Sequence, residues 1–146
     1  MNKIITTLLV AAACVLPSVG FAQSGTRIKA NLNPVISVDA SGKAVLDRRA
    51  GTGNDRFTSE VEIAKADFDV LNITPENGFN DESVELRVFR DGALIFRTPL
   101  KFSENRPGDI TFETDIRGAA APELRPGDVV RVIVNGQLTL RGRFRL

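Results

Sequence analysis

Oxygen-bearing side chains crowd the segment A-K-A-D-F-D-V-L-N-I-T-P-E-N-G-F-N-D-E, residues 64 to 82, where Asp67, Asp69, Glu76, Asn80, Asp81 and Glu82 lie within one stretch. Hard donors grouped on one loop suit calcium, which takes roughly six to eight oxygens. The spacing fits no calcium-ligand template, and Asn, Asp and Gly are ordinary turn formers. No metal ligand is therefore assigned. A second calcium-like string, A-G-T-G-N-D-R-F-T at 50 to 58, is one residue away from the repeat of parallel β-helices. That repeat works in tandem, each ion held between successive turns. A single copy between alternating segments reads as a turn.

Catalysis has few candidates. The chain holds no His, Trp or Tyr, and its one Cys and one Met both precede residue 22. Without imidazole or thiol, the usual general base, the soft metal ligands and the Ser-His-Asp arrangement are missing. Ser59, Ser83 and Ser103 stand in no nucleophile motif, and a carboxylate-dependent hydrolase would need two acids facing each other across a cleft. The sequence thus assigns no catalytic residue and no cofactor, and it reads as a non-enzyme, with such a hydrolase as an alternative.

The elements that would position any site follow from alternation. After Gln23 apolar and polar residues alternate in period two, broken by turn residues every eight to twelve positions, which is how an all-β sandwich or barrel reads. The inward series are Ile28, Ala30 and Leu32; Phe57, Ser59, Val61 and Ile63; Val84, Leu86 and Val88; Leu94, Phe96, Leu100 and Phe102; and Ile110, Phe112 and Ile116. These predict an antiparallel β-sandwich of seven or eight strands, immunoglobulin-like in a general sense and without the Cys and Trp signature of the true pattern. Phe89, Val129 and Ile133 are apolar on the opposite face of their strands, which points to central strands or cover by a loop.

One pattern recurs three times, in Ile36, Val38, Gly42, Ala44, Leu46; in Leu86, Val88, Gly92, Leu94, Phe96; and in Val130, Val132, Gly136, Leu138, Leu140. It predicts three hairpins with three-residue loops, pairing Val132 with Leu138, Val88 with Leu94 and Val38 with Ala44. Residues 64 to 82 and 118 to 128 read as crossovers, the second anchored by Leu124 and turned by Pro126-Gly127.

The first 22 residues, with a cation at Lys3, an apolar run from Ile4 to Leu16 and small residues before the cut, predict a secretory signal peptide cleaved after Ala22. Lipid attachment at Cys14 is the weaker alternative, since apolar sequence continues past it. The expected product is a single domain over residues 23–146, periplasmic or extracellular, with no second run able to span a bilayer. Removing Lys3 leaves cations and carboxylates in balance. That balance argues against nucleic acid and anionic membrane as partners, and the Arg141, Arg143 and Arg145 stripe reads as a solvated strand face.

The remaining expectation is a binding or structural module whose partner is another protein or an envelope component. Contact is expected at the loop holding Asn77, Phe79, Asn80 and Asp81, because binding residues concentrate on loops. The alternative is a subunit of a surface fibre, with the alternating run T-R-I-K-A-N-L-N-P added to a neighbour's sheet.

Overall fold

The structure, a computed structural model, describes residues 25–49, 53–74 and 83–146. The expected signal peptide and the loop residues Asn77, Phe79, Asn80 and Asp81 lie outside the described residues. Alternation becomes nine antiparallel strands: β1 (Thr26–Pro34), β2 (Ala40–Arg48), β3 (Arg56–Ala64), β4 (Val84–Arg90), β5 (Ala93–Pro99), β6 (Lys101–Asn105), β7 (Asp109–Arg117), β8 (Val129–Val134) and β9 (Gln137–Arg143). Single 3-10 turns at Lys65–Asp67 and Gly118–Ala120 are the helical pieces described, and no helix among the described residues is long and apolar enough to cross a membrane.

The expected count of seven or eight strands is corrected to nine, and the strands form one curled sheet in the order β5-β4-β8-β9-β1-β2-β3-β7-β6. The sheet has a first limb, β5-β4-β8-β9, and a second, β1-β2-β3-β7-β6, and it is continuous because β1 pairs with both. That strand pairs with β2 from Thr26 to Leu32 and with β9 at Asn33 and Pro34. The two edges, β5 and β6, are consecutive in the chain and meet at Leu100, which is fully buried and whose N–H donates to the Val84 carbonyl at 2.8 Å. One strand direction therefore bends from the first limb into the second, a known way to turn a sheet corner. Phe57 and Phe96 touch edge to face across the interior, ring centroids 5.5 Å apart.

The hairpin expectation fails in an instructive way. Asp91-Gly92 and Asn135-Gly136 are two-residue turns with positive φ at both positions, 50° and 85° in one and 46° and 81° in the other, the geometry that matches strand twist. Each is followed by a bulge. Phe89 faces Leu94 but Val88 faces Phe96, leaving Ile95 extra; Ile133 faces Leu138 but Val132 faces Leu140, leaving Thr139 extra. A bulge shifts every later side chain to the other face. Phe96 and Leu140 therefore turn inward, as the burial pattern demands, while Leu94 and Leu138 go outward. The third pattern is not a tight hairpin at all, because Gly42 lies inside β2 opposite Leu32.

The core matches the inward series except at Leu94 and Phe102, which are 49% and 39% exposed. The bulge explains the first. The second lies on the edge strand β6, where the ring meets Phe112 from one side at 6.4 Å. Both crossovers are packed. Leu71 and Ile73 are buried in the first, and Leu124 in the second. Pro126-Gly127 forms the expected turn, with Gly127 at φ 99° and the Asp128 N–H donating to the Arg125 carbonyl at 3.2 Å.

Candidate functional site

The two bulges set the register that assembles the most distinctive surface of the protein. Val88, Val130 and Leu140 point inward, so Arg87, Arg131 and Arg141 point outward. Pairing places Arg97 opposite Arg87, Arg87 opposite Arg131, and Arg131 opposite Arg141. Four arginines thus form a straight row across β5, β4, β8 and β9. Adjacent strands lie ~4.8 Å apart, and like charges directly opposed in a sheet destabilise it.

Little within the molecule relieves that repulsion. Glu85 pairs with Arg87. Arg131 instead stacks on the Phe89 ring, 4.4 Å from its centroid, and its Nε is shut away from solvent with no acceptor. Among the described residues, no carboxylate forms an ion pair with Arg97, Arg131, Arg141, Arg143, Arg145 or Lys29. Beneath and beside the row, Phe89, Val129, Ile133 and Leu138 are half-buried.

At Arg141 the row runs into a cleft of about 560 Å³ between β1 and β9. The strands are paired at Asn33 with Arg141, and again at Lys29 with Arg145, where two backbone bonds of 2.8 and 2.9 Å close the ladder. The same register sets Asn31 against Arg143 between them. The cleft is lined by Lys29, Asn31 and Asn33 on one wall and by Arg141, Arg143 and Arg145 on the other, with Val129 and Leu146 completing it. Gly142 permits the close approach beneath: a Cβ there would lie 2.3 Å from the Asn31 carbonyl oxygen. Cavities of this size take small molecules or a segment of a longer one, and this lining selects for anions.

Arg90, at the end of β4, is different. Its Nε and Nη2 donate to both Asp128 carboxylate oxygens at 2.9 and 2.8 Å, and the Arg125 N–H donates to the same carboxylate at 2.8 Å. Asp128 is 4% exposed. Burial by itself would raise its carboxyl, but the Arg90 and Arg125 hydrogen bonds outweigh that and hold it below the ordinary value. This pair fastens the second crossover to the sheet and is structural.

The acids that the sequence put forward do other work. Asp67 Oδ2 accepts the Asp39 N–H at 2.7 Å and so ties the first crossover to the start of β2. Asp55 Oδ1 accepts the Arg49 N–H at 3.0 Å, and Gly53 has φ 62°, which makes the described part of the calcium-like string a turn. Among the described residues no three potential ligands converge as a metal site. Glu60 and Glu113 do face each other on β3 and β7, but Lys43 Nζ sits 2.7 Å from Glu60. The run T-R-I-K-A-N-L-N-P is the first strand of its own sheet, paired on both sides.

The sequence signalled only the Arg141, Arg143 and Arg145 end of this surface. Arg87, Arg97 and Arg131 come from separate segments and align only through cross-strand register. Compared with models of known protein families and with curated proteins, the chain matches none.

Proposed function

We propose that the protein is an exported, non-enzymatic β-module of the periplasm or cell surface that binds an envelope component or another protein. On this reading the limbs β5-β4-β8-β9 and β1-β2-β3-β7-β6 serve as the two layers of a sandwich, immunoglobulin-like in the general sense. The binding surface is the outer face of the first limb, and one observation supports this: a row of four arginines in which, among the described residues, only Arg87 has a carboxylate partner, leading into a cleft lined mainly by cations and amides. Like charges set side by side cost stability, and an anionic partner would recover that cost. The loop at 76–82, with Asn77, Phe79, Asn80 and Asp81, is the second contact region.

The test is retention of native envelope material by the immobilised mature protein. The double variant Arg97→Glu, Arg141→Glu, changed at two exposed positions, is expected to lose that material, and Phe79→Ala to weaken it less. Equal retention by wild type and double variant would place the site elsewhere. Turnover of a glycan or peptide substrate by the purified protein would overturn the non-enzymatic reading.

A further inference from the structure

We propose that the arginine row and its cleft form a docking track for one strand of an acidic polysaccharide, bound through its carboxylates; the proposal rests on the outer face being the binding surface. The track is linear. It crosses four strands from Arg97 to Arg141, about 14 Å at the usual strand spacing, and continues into the space between Lys29, Asn31 and Asn33 and the Arg143 and Arg145 side. A guanidinium binds a carboxylate through two parallel hydrogen bonds. A ligand with regularly repeated carboxylates can meet several such groups in turn. In the cleft, the amides of Asn31 and Asn33 offer both donors and acceptors, which suits the hydroxyls between those charges.

The same surface fits other polyanions less well. A ligand lying along the row runs across the strands, and the backbone groups of β4 and β8 beneath it are committed to ladders on both sides, so an acidic peptide in the track would gain none of the main-chain pairing that drives strand addition. Single-stranded nucleic acid is held by stacking bases on open aromatic faces. Phe89, the aromatic residue of this face, is already covered by Arg131. A bilayer surface cannot enter a cleft, and the apolar residues next to the central arginines, Val129, Ile133 and Leu138, are half-buried, with exposed Leu94 and Leu146 set apart at the two ends of the track.

The experiment is calorimetric titration of the mature protein with polygalacturonate oligomers, beside neutral dextran, poly-glutamate, oligothymidylate and phosphatidylglycerol vesicles. Polygalacturonate is expected to bind, more weakly as salt rises, and dextran not to bind. Arg131→Met with Arg141→Gln should weaken binding about tenfold or more, the loss of charge-assisted contacts, while Lys43→Gln on the opposite limb should leave it unchanged. The Arg131→Met variant keeps the aliphatic cover on Phe89, and its melting temperature reports that the fold is intact. Binding of poly-glutamate, oligothymidylate or vesicles in preference, still sensitive to the arginine changes, overturns the polysaccharide and leaves the face as the binding surface. Binding of none, or binding indifferent to the arginine changes, overturns both.

Discussion

The outer faces of the two limbs are built from similar residues and treat their charges in opposite ways. On β2, β3, β6 and β7 four acids have a cation beside them: Lys43 with Glu60 at 2.7 Å, Arg56 and Arg117 with Asp115 at 2.9 and 2.8 Å, and Arg106 with Glu104 and Glu62 at 2.8 and 3.4 Å. The hydrogen bonds from Arg117 and Arg56 hold the Asp115 carboxyl far below the usual carboxylate range. On β5, β4, β8 and β9 the cations stand in line with one carboxylate, Glu85, among them. A near-balance of 19 Lys and Arg against 18 Asp and Glu conceals this segregation. Balanced composition is an argument about the whole chain, and partners read a face.

The comparison can be broken most strongly at Arg90, where the cationic limb pairs a charge with a buried carboxylate. Asp128→Asn removes the negative charge and replaces one of the two oxygens that accept from Arg90 and the Arg125 N–H with a donor, at about 2 kcal/mol, the usual scale of hydrogen bonds to a charged group. Because the folded-state carboxyl lies below its ordinary value, its stabilising effect is in force above ~3.9, the ordinary Asp pKa, and is lost as pH falls through the folded value. Urea midpoints at pH 7 should therefore separate wild type from Asp128→Asn, and the gap should narrow at pH 3. A gap as wide at pH 3 as at pH 7 would show that the carboxylate's charge is not what fastens the crossover.

The next effect concerns the cleft rather than the charges. Gly142→Ala places a methyl group 2.3 Å from the Asn31 carbonyl and 3.1 Å from the Leu32 side chain. One of these is backbone, so β1 and β9 must separate. Overpacking of this kind costs about 2 kcal/mol. Faster amide exchange at Lys29 and Arg145, whose backbone bonds close the ladder, is the local readout, and exchange unchanged there would mean that the strands adapt without parting.

How much of this was visible in the sequence depends on what each feature rests on. Alternation located the strands and most of the core, since burial of one face is a local property of period two. Leu124 and Pro126-Gly127 were visible because an apolar anchor and a Pro-Gly turn carry their own conformational preference. The bulges at Ile95 and Thr139 were not, because an extra residue in one strand is defined only against its partner. Asn-Gly and Asp-Gly favour two-residue turns while Leu140 and Phe96 require burial, and from sequence alone a three-residue loop satisfies both. The chain reconciles them instead with the turn its residues prefer plus a bulge. Gly42 repeats the spacing of Gly92 and Gly136 but serves close packing, its missing Cβ leaving room for the Glu60 carbonyl. The arginine row inherits this difficulty, since its four members share a line only once both registers are known.

The finest test of the comparison uses the same substitution on each face. Lys43→Met should lose about 0.5 kcal/mol, the ordinary value of an exposed ion pair, because it breaks a contact with Glu60. Arg131→Met should gain about 1 kcal/mol, by removing a like charge set between Arg87 and Arg141 and a buried Nε without an acceptor. The two differ in sign, so their order of melting is informative even where the shifts are small. Added salt sharpens the contrast: screening weakens an attraction at Lys43 and a repulsion at Arg131, so the gain from Arg131→Met should shrink as salt rises. An Arg131→Met protein less stable than wild type at low salt would mean that the stacking on Phe89 outweighs the repulsion, and the row would then need no anionic partner to account for it.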